Sequence, residues 1–256
     1  MPLPTSKTIM LQASNLCKTY TTGKEQYHAV RNVDLSIYER DFTVIMGDSG
    51  SGKSTLLYLL SGLDAVTAGE VQLQGQRLNQ FSAKELARFR ANQIGFIYQN
   101  SNLVPDLTLF DNIALPGYIA NRDKEAVKQR AHELMTSLYL EKEGSRLPSQ
   151  VSGGQQQRAA IARALINNPD IVFADEPTGS LNYEQGVTVL DILSGMNADG
   201  QSIVMVTHDM KAACRGNRLI YIRDGKIGGT LDMGPYAPEQ ASEREAMIFA
   251  YVTGRR

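Results

Sequence analysis

The chain has 256 residues, 42% of them hydrophobic, with 26 basic against 27 acidic side chains and a formal net charge of −1. That length accommodates one large α/β domain or two modest ones with a sizeable core, and the even charge balance argues against a dedicated polyanion binder, so no nucleic-acid partner is expected. Cys17 and Cys214 lie far apart with no CxxC or Cys/His cluster beside either, which points away from a cysteine metal site and toward packed thiols in a reducing cytoplasm.

No run of 18 apolar residues occurs, and the opening MPLPTSKT lacks the basic, apolar and small-residue sections of a signal peptide. A role at a membrane would therefore need another chain to span it. Residues 9–45 and 69–78 carry short strand-like segments, among them the alternating EVQLQG, and predict an antiparallel flap. Five apolar runs predict buried strands: FTVIM (42–46), IGFIY (94–98), IVFA (171–174), SIVMV (202–206) and RLIYI (218–222). Their unbroken apolarity suits a parallel sheet covered on both faces.

Helical patterns fall between them. STLLYLLSGL (54–63) follows the first run, and QQQRAAIARALI (155–166) precedes NNP, whose proline stops a helix. Between IGFIY and IVFA come a Pro- and Asn-rich loop, NSNLVPDLT (100–108), and a charged helix, DKEAVKQRAHELMTSLYL (123–140), with Val127, Leu134 and Leu138 at helical spacing. The stretch reads as a helical subdomain inserted into the core. The tail, 233–256, is polar and reads as a surface appendage. The fold expected is α/β: a doubly wound core with a mainly parallel sheet, an N-terminal antiparallel β flap and the inserted helical subdomain.

GDSGSGKS (47–54) has the form G-x-x-x-x-G-K-[ST], with Gly47, Gly52, Lys53 and Ser54 at the fixed positions, after an apolar strand and opening a helix. Its backbone, from Gly47 through Asp48, Ser49, Gly50, Ser51 and Gly52 to Thr55, would cradle the phosphates of a nucleoside triphosphate. Lys53 would neutralise the β- and γ-oxygens, and Ser54 would offer its hydroxyl to Mg²⁺. IVFADE places Asp175 at a strand end, within reach of the same Mg²⁺, and Glu176 beside it, able to polarise an attacking water. Gln99 and His208 each follow a predicted strand and project from the carboxyl edge of the sheet. Alone such residues are ordinarily structural; neighbouring strands that carry Lys53 and Asp175 recommend them for the γ-phosphate and, for Gln99, the metal. Tyr20 offers a face for adenine or simply packs the flap.

VSGGQQQR (151–158) opens a second helix with a Ser and two Gly, a second anion-accepting N-terminus. Two copies packed head to tail, each closing the other's nucleotide, would use it; an ordinary capped helix is the alternative.

GDSGSGKST, Gln99, VSGGQ, IVFADEPTGSLN and VTHD stand in the order and spacing of the ATP-binding cassette ATPases, which the chain resembles from about residue 9 to 230. The resemblance implies a P-loop NTPase core and one cassette domain over 9–232, with core segments 9–98 and 167–232 and a helical subdomain at about 99–166. It implies Tyr20 as the adenine-stacking aromatic, Gln99 as the Q-loop residue, and Ser152, Gly153, Gly154 and Gln155 as the signature acting on the partner's ATP. Glu176 would be the catalytic base, with Lys53 and the switch histidine His208 at the γ-phosphate. Val151 departs from the usual Leu, and Asn182 from the usual D-loop Asp, which bears on communication between the two sites. FSAKELARFRANQIGFIYQNSNLVPDLTLFDNIALP and EPTGSLN are similar to ATPases of the macrolide-exporter, lipoprotein-release and bacitracin-resistance type. The resemblance therefore implies an ATPase subunit, peripheral at the cytoplasmic face of the cell membrane, paired with a second copy and an integral-membrane permease. The alternatives are a soluble ATPase of the same class working on ribosome or DNA, and a cell-division-type regulator without cargo.

Overall fold

The computed structural model describes residues 7–120 and 123–254. The start of MPLPTSKT and the last two residues of the 233–256 tail lie outside the described residues. The chain opens with the strands β1 (Ile9–Thr22), β2 (Glu25–Tyr38) and β3 (Phe42–Gly47), then helix α1 (Lys53–Leu60), β4 (Ala68–Leu73) and β5 (Gln76–Arg77). It continues through α2 (Ala83–Gln93), β6 (Ile94–Ile97), α3 (Leu109–Ile119), α4 (Lys124–Ser137), α5 (Gly153–Leu165), β7 (Ile171–Asp175) and α6 (Tyr183–Ala198). The last elements are β8 (Ser202–Val206), α7 (Met210–Ala213), β9 (Arg218–Arg223), β10 (Lys226–Asp232) and α8 (Ala241–Thr253). The five apolar runs are strands β3, β6, β7, β8 and β9, and every residue of β7 and β8 is buried, as unbroken apolarity requires.

Two compact units make up the chain: one of residues up to 82, 200–202 and from 206 onward, the other of 83–199 and 203–205. In the first unit, β2-β1-β4-β5 form an antiparallel sheet. The short segments of 9–45 join into two strands of 14 residues each, because Asn15 and Asn32, both at φ 48°, interrupt the alternation without ending the strands. Asn tolerates that left-handed conformation, and the register shifts beside Leu16 follow from it. Leu11, Ala13, Leu16, Val30, Val33 and Ile37 are buried on its inner face. β3 runs parallel to β9, and β10 closes the edge antiparallel, so the parallel character stops at β9. The tail carries α8, which packs on α7 with Ile248 and Val252 buried. Arg244, 3% exposed, donates to the carbonyls of Cys214, Gly216, Met233, Gly234 and Pro235.

In the second unit β6 and β7 pair in parallel from Ile94↔Ile171 to Ile97↔Ala174. Helix α5 packs on β6, α3, α4 and α6. Val127, Leu134 and Leu138, the positions read as helical, are buried. Helices α3, α4, α5 and α6 begin at Thr108, Asp123, Ser152 and Asn182, each of whose side chains accepts a backbone N–H three residues on. The loop at 100–108 is held by buried Asn112, whose amide donates to the carbonyls of Val104, Leu107 and Thr108 and accepts from the Val104 N–H.

Candidate functional site

In the first unit, β3 ends at Gly47 opposite Ile222 of β9 and turns into the glycine-rich loop. A Cβ on Gly47 would lie 2.1 Å from the Ile222 carbonyl oxygen, and one on Gly52 2.2 Å from the Ala29 carbonyl oxygen. Only glycine lets the loop pass there, and Gly52, at φ 98°, then starts α1. The Gly225 N–H donates to the Ser51 carbonyl at 3.0 Å, and the Tyr27 hydroxyl to the Gly50 carbonyl at 3.0 Å. Lys53 is 7% exposed, and its ammonium donates to the carbonyls of Gly47 (3.0 Å) and Asp48 (2.8 Å). Asp48, Ser49 and Gly50 form the exposed rim, with Ser54 and Thr55 half-buried in the first turn of α1. The result is a helix N-terminus with a lysine folded beside it, an arrangement that attracts anions through its N–H groups, its dipole and its charge.

Tyr20 lies in the same unit, opposite Tyr27 in the β1–β2 register and 40% exposed. Its hydroxyl donates to Asp64 Oδ2 at 2.7 Å. Burial and then the Asp64 hydrogen bond push the phenol above its ordinary value, with the Thr55 hydroxyl pulling the other way. His208 is exposed just beyond β8. The Thr207 N–H before it donates to the Ile45 carbonyl at 3.2 Å, and Asp209 after it caps α7, accepting from the Lys211 N–H. His208 is thus fixed by its neighbours on both sides.

In the second unit, Asp175 closes β7 with 8% exposure, and Glu176 takes φ 45°, turning the chain sharply at the strand end. A Gly179 N–H to Glu176 carbonyl bond of 2.9 Å closes that turn. It carries Gly179 and Ser180 against Gln99, which follows β6: the Ser180 hydroxyl donates to the Gln99 carbonyl at 2.9 Å. Gln99, Asp175 and Glu176 therefore gather at the carboxyl edge of the β6–β7 pair. At the start of α5, Ser152 Oγ accepts from the Gln155 N–H, and Gln155 Oε1 accepts from the Ser152 N–H at 2.9 Å. Ser152 and Gly153 are exposed. Gly154 is buried, and a Cβ there would meet Gln185 Cγ at 2.9 Å. Asn182, the departure at the D-loop, caps α6 as an Asp would, accepting from the Gln185 N–H at 2.9 Å.

Helix α5 also holds the chain beyond Gln99. Gln157 donates to the Tyr98 carbonyl at 3.0 Å, and Arg163 to the carbonyls of Ser101 (2.7 Å) and Asn102 (2.6 Å), with burial lowering the guanidinium below its ordinary value. A cavity of about 370 Å³ opens there, lined by Ile94, Phe96, Tyr98, Pro116, Ile166 and Arg163 among others.

The predicted residues thus form groups within each unit: Tyr20, the 47–55 loop and His208 in the first; Gln99, Asp175, Glu176 and the Ser152–Gln155 helix start in the second. Sequence reasoning missed Tyr27, Asp64, Ser180 and Gly225, which support those residues. The cross-strand position of Tyr27 relative to Tyr20 was the one available signal; nothing local distinguishes Asp64 or Gly225.

The ABC transporter family model matches residues 30–179. The chain is 45% identical over 218 residues to the uncharacterized ABC transporter ATP-binding protein MJ1508 of Methanocaldococcus jannaschii, covering 85% of this chain and 97% of that one. It is 42% identical over 218 residues to the macrolide export ATP-binding/permease protein MacB of Psychrobacter arcticus, covering 85% of this chain and 33% of that longer protein. Among solved structures, a dimeric post-hydrolysis state of the ATP-binding cassette MJ0796 bound to ADP and Pi matches with a TM-score of 0.82 and 41% identity, covering 89% of this chain and all of that one. A dimeric structure of MJ0796, titled a bacterial ABC transporter cassette, matches equally.

Proposed function

The chain belongs to the ABC transporter family, and on that premise we propose that it is the ATP-hydrolysing subunit of a membrane transporter or mechanotransmission complex, acting as two identical copies on the cytoplasmic side of a permease. The observation that carries this reading is a pair of glycine-led helix starts, α1 at Gly52 and α5 at Ser152–Gly154, of which only the first bears a lysine. A helix start with Ser152 and Gly153 exposed and no cation suits the far side of a triphosphate already neutralised by another chain's Lys53. The neighbouring cassette MJ0796 is dimeric and bound to ADP and Pi, which supports the same arrangement for this chain.

In this reading the amides of Gly47 through Thr55 hold the phosphates, Tyr20 stacks on adenine, and Lys53 and His208 attend the γ-phosphate. Glu176 accepts a proton from the attacking water, and the signature residues Ser152 to Gln155 close on the ATP of the other copy. Ser54, Gln99 and Asp175 offer a hydroxyl, an amide oxygen and a carboxylate. Such an all-oxygen set, short of a full shell, fits Mg²⁺, which keeps waters and phosphate oxygens among its ligands and would neutralise charge developing on the phosphates.

Among the described residues no helix is long and apolar enough to cross a membrane, and the MacB relative, of which this chain spans 33%, is named an ATP-binding/permease protein. The pairing of ATP-binding and permease functions in that relative's name supports a permease partner, and the cavity beside Tyr98 and Arg163, of mixed polarity with a cationic edge, suits the end of one of its helices. The test is co-purification from detergent-solubilised membranes with a co-expressed permease encoded beside it. Retention that Phe96→Asp abolishes is expected. A chain never retained by membranes carrying the permease would remove the reading in favour of a soluble ATPase of the class.

A further inference from the structure

Two side chains, Lys18 and Asp64, converge on Tyr20 from outside the nucleotide loop. Asp64 Oδ1 accepts from the Lys18 ammonium at 2.6 Å while Asp64 Oδ2 accepts from the Tyr20 hydroxyl at 2.7 Å. The same ammonium donates to the Ala65 carbonyl at 2.7 Å and sits 4.8 Å from the centroid of the Tyr20 ring. One face of the ring is covered by a cation, its rim is fixed by a carboxylate, and the residue is still 40% exposed. Lys18 itself is buried, 9% exposed, so the clamp is built into the sheet rather than laid on its surface.

The carboxylate is placed by α1. That helix ends in a turn where Gly62 takes φ 65° and the N–H groups of Leu63 and Asp64 donate to the Tyr58 carbonyl. Its first residue is Lys53. One short helix, roughly 12 Å long for eight residues at 1.5 Å each, therefore carries the phosphate loop at its N-terminus and the turn that places Asp64 at its C-terminal end, while the Thr55 hydroxyl in its first turn also meets the Tyr20 phenol.

We propose that Lys18 and Asp64 are positioning residues that lock the Tyr20 ring with one face open, in register with the phosphate loop, and so set the affinity for a purine base. The proposal rests on the reading of Tyr20 as the adenine-stacking residue. A ring free to rotate loses part of its stacking contribution to conformational entropy; a ring held at rim and back face does not. The clamp touches neither phosphates nor the reacting atoms, so its effect belongs to base binding alone.

The experiment titrates ADP, and separately inorganic pyrophosphate, into the full chain and into the variants Asp64→Asn, Tyr20→Phe, their double combination and Tyr20→Ala, with thermal melts as folding controls. Asp64→Asn and Tyr20→Phe are each expected to weaken ADP about fivefold while changing pyrophosphate by less than about twofold, and the double variant to lose no more than either alone. Equal losses for ADP and pyrophosphate would reduce the pair to a structural brace and overturn the proposal. Unchanged ADP affinity in both Asp64→Asn and Tyr20→Phe, with Tyr20→Ala still weakened, would overturn it while sparing the adenine reading. Unchanged ADP affinity in Tyr20→Ala would overturn both.

Discussion

The Ser180 hydroxyl donates to the backbone carbonyl of Gln99 at 2.9 Å, joining the turn after Glu176 to the chain that leaves β6. The contact is tight: a Cβ on Gly179 would come within 2.6 Å of Gln99 Nε2. Gly179→Ala must move the Gln99 amide, whereas Ser180→Ala removes one hydrogen bond and leaves the packing. The maximal rate of ATP hydrolysis is expected to fall about tenfold in Gly179→Ala and about threefold in Ser180→Ala, with smaller changes in KM. Steady-state kinetics check this; a Gly179→Ala variant with the parent's rate would remove Gln99 from the hydrolytic machinery.

Glu176 sits in the left-handed conformation at φ 45°, directly after Asp175 closes β7. Glutamine tolerates that backbone about as well, so Glu176→Gln changes the chemistry and keeps the turn. Turnover is expected to fall by about a hundredfold or more with ATP binding preserved. Rapid hydrolysis by this variant, measured as phosphate release in a single turnover, would place the base elsewhere.

Lys53 holds the loop through the carbonyls of Gly47 and Asp48, yet α1 begins on Gly52 and its main-chain bonds. Lys53→Ala should therefore fold and lose the charge that phosphate needs. A reduction in ATP affinity of about tenfold or more is expected by titration calorimetry. An unaltered isotherm would contradict the assignment.

Burial alone would raise the Asp64 carboxyl, but hydrogen bonds from Lys18, Tyr20 and the Ala65 N–H, with the Lys18 charge, outweigh it and hold the group below its ordinary value. A depressed folded-state value means that the carboxylate stabilises the fold above the unfolded carboxylate range, near pH 4, and that this is lost as pH falls through the folded value. The melting temperatures of the parent and Asp64→Asn should differ at neutral pH and converge in acid. A gap that does not change with pH would show that the charge on Asp64 contributes nothing.

Arg244 is buried, lowered by that burial below its ordinary value, and fastens α8 to the chain around Cys214 and Met233 through backbone carbonyls and a place over the Tyr236 ring. Arg244→Leu strands those acceptors and should cost about 3 kcal/mol, a drop in melting temperature of roughly 6–12 °C. Arg244→Lys should recover part of it. A melt unchanged by Arg244→Leu would mean that α8 adds no stability.

The parallel strands were legible because burial on both faces forces unbroken apolar runs, and the phosphate loop because glycine is the one residue whose absent Cβ fits at 47 and 52. Helix α2 was not legible: of its 11 residues only Phe89 is buried, so its sequence carries almost no periodic signal. Helix α3 hid behind Pro116 within it. The 14-residue strands β1 and β2 read as fragments because Asn15 and Asn32 shift the alternation. In the site, Tyr20, Gln99 and Ser152 could be found from motif order, but their supports Asp64, Ser180 and Gln185 are brought to them by the fold, at sequence distances no local pattern spans.

The central claim is that ATP is closed between the phosphate loop of one copy and the Ser152 helix start of another. Sedimentation of Glu176→Gln with ATP tests it directly, beside the same variant carrying Ser152→Arg, whose side chain would block that helix start. The account predicts a dimer for the first and an ATP-bound monomer for the second. An ATP-loaded monomer of Glu176→Gln, or a dimer indifferent to Ser152→Arg, would contradict it.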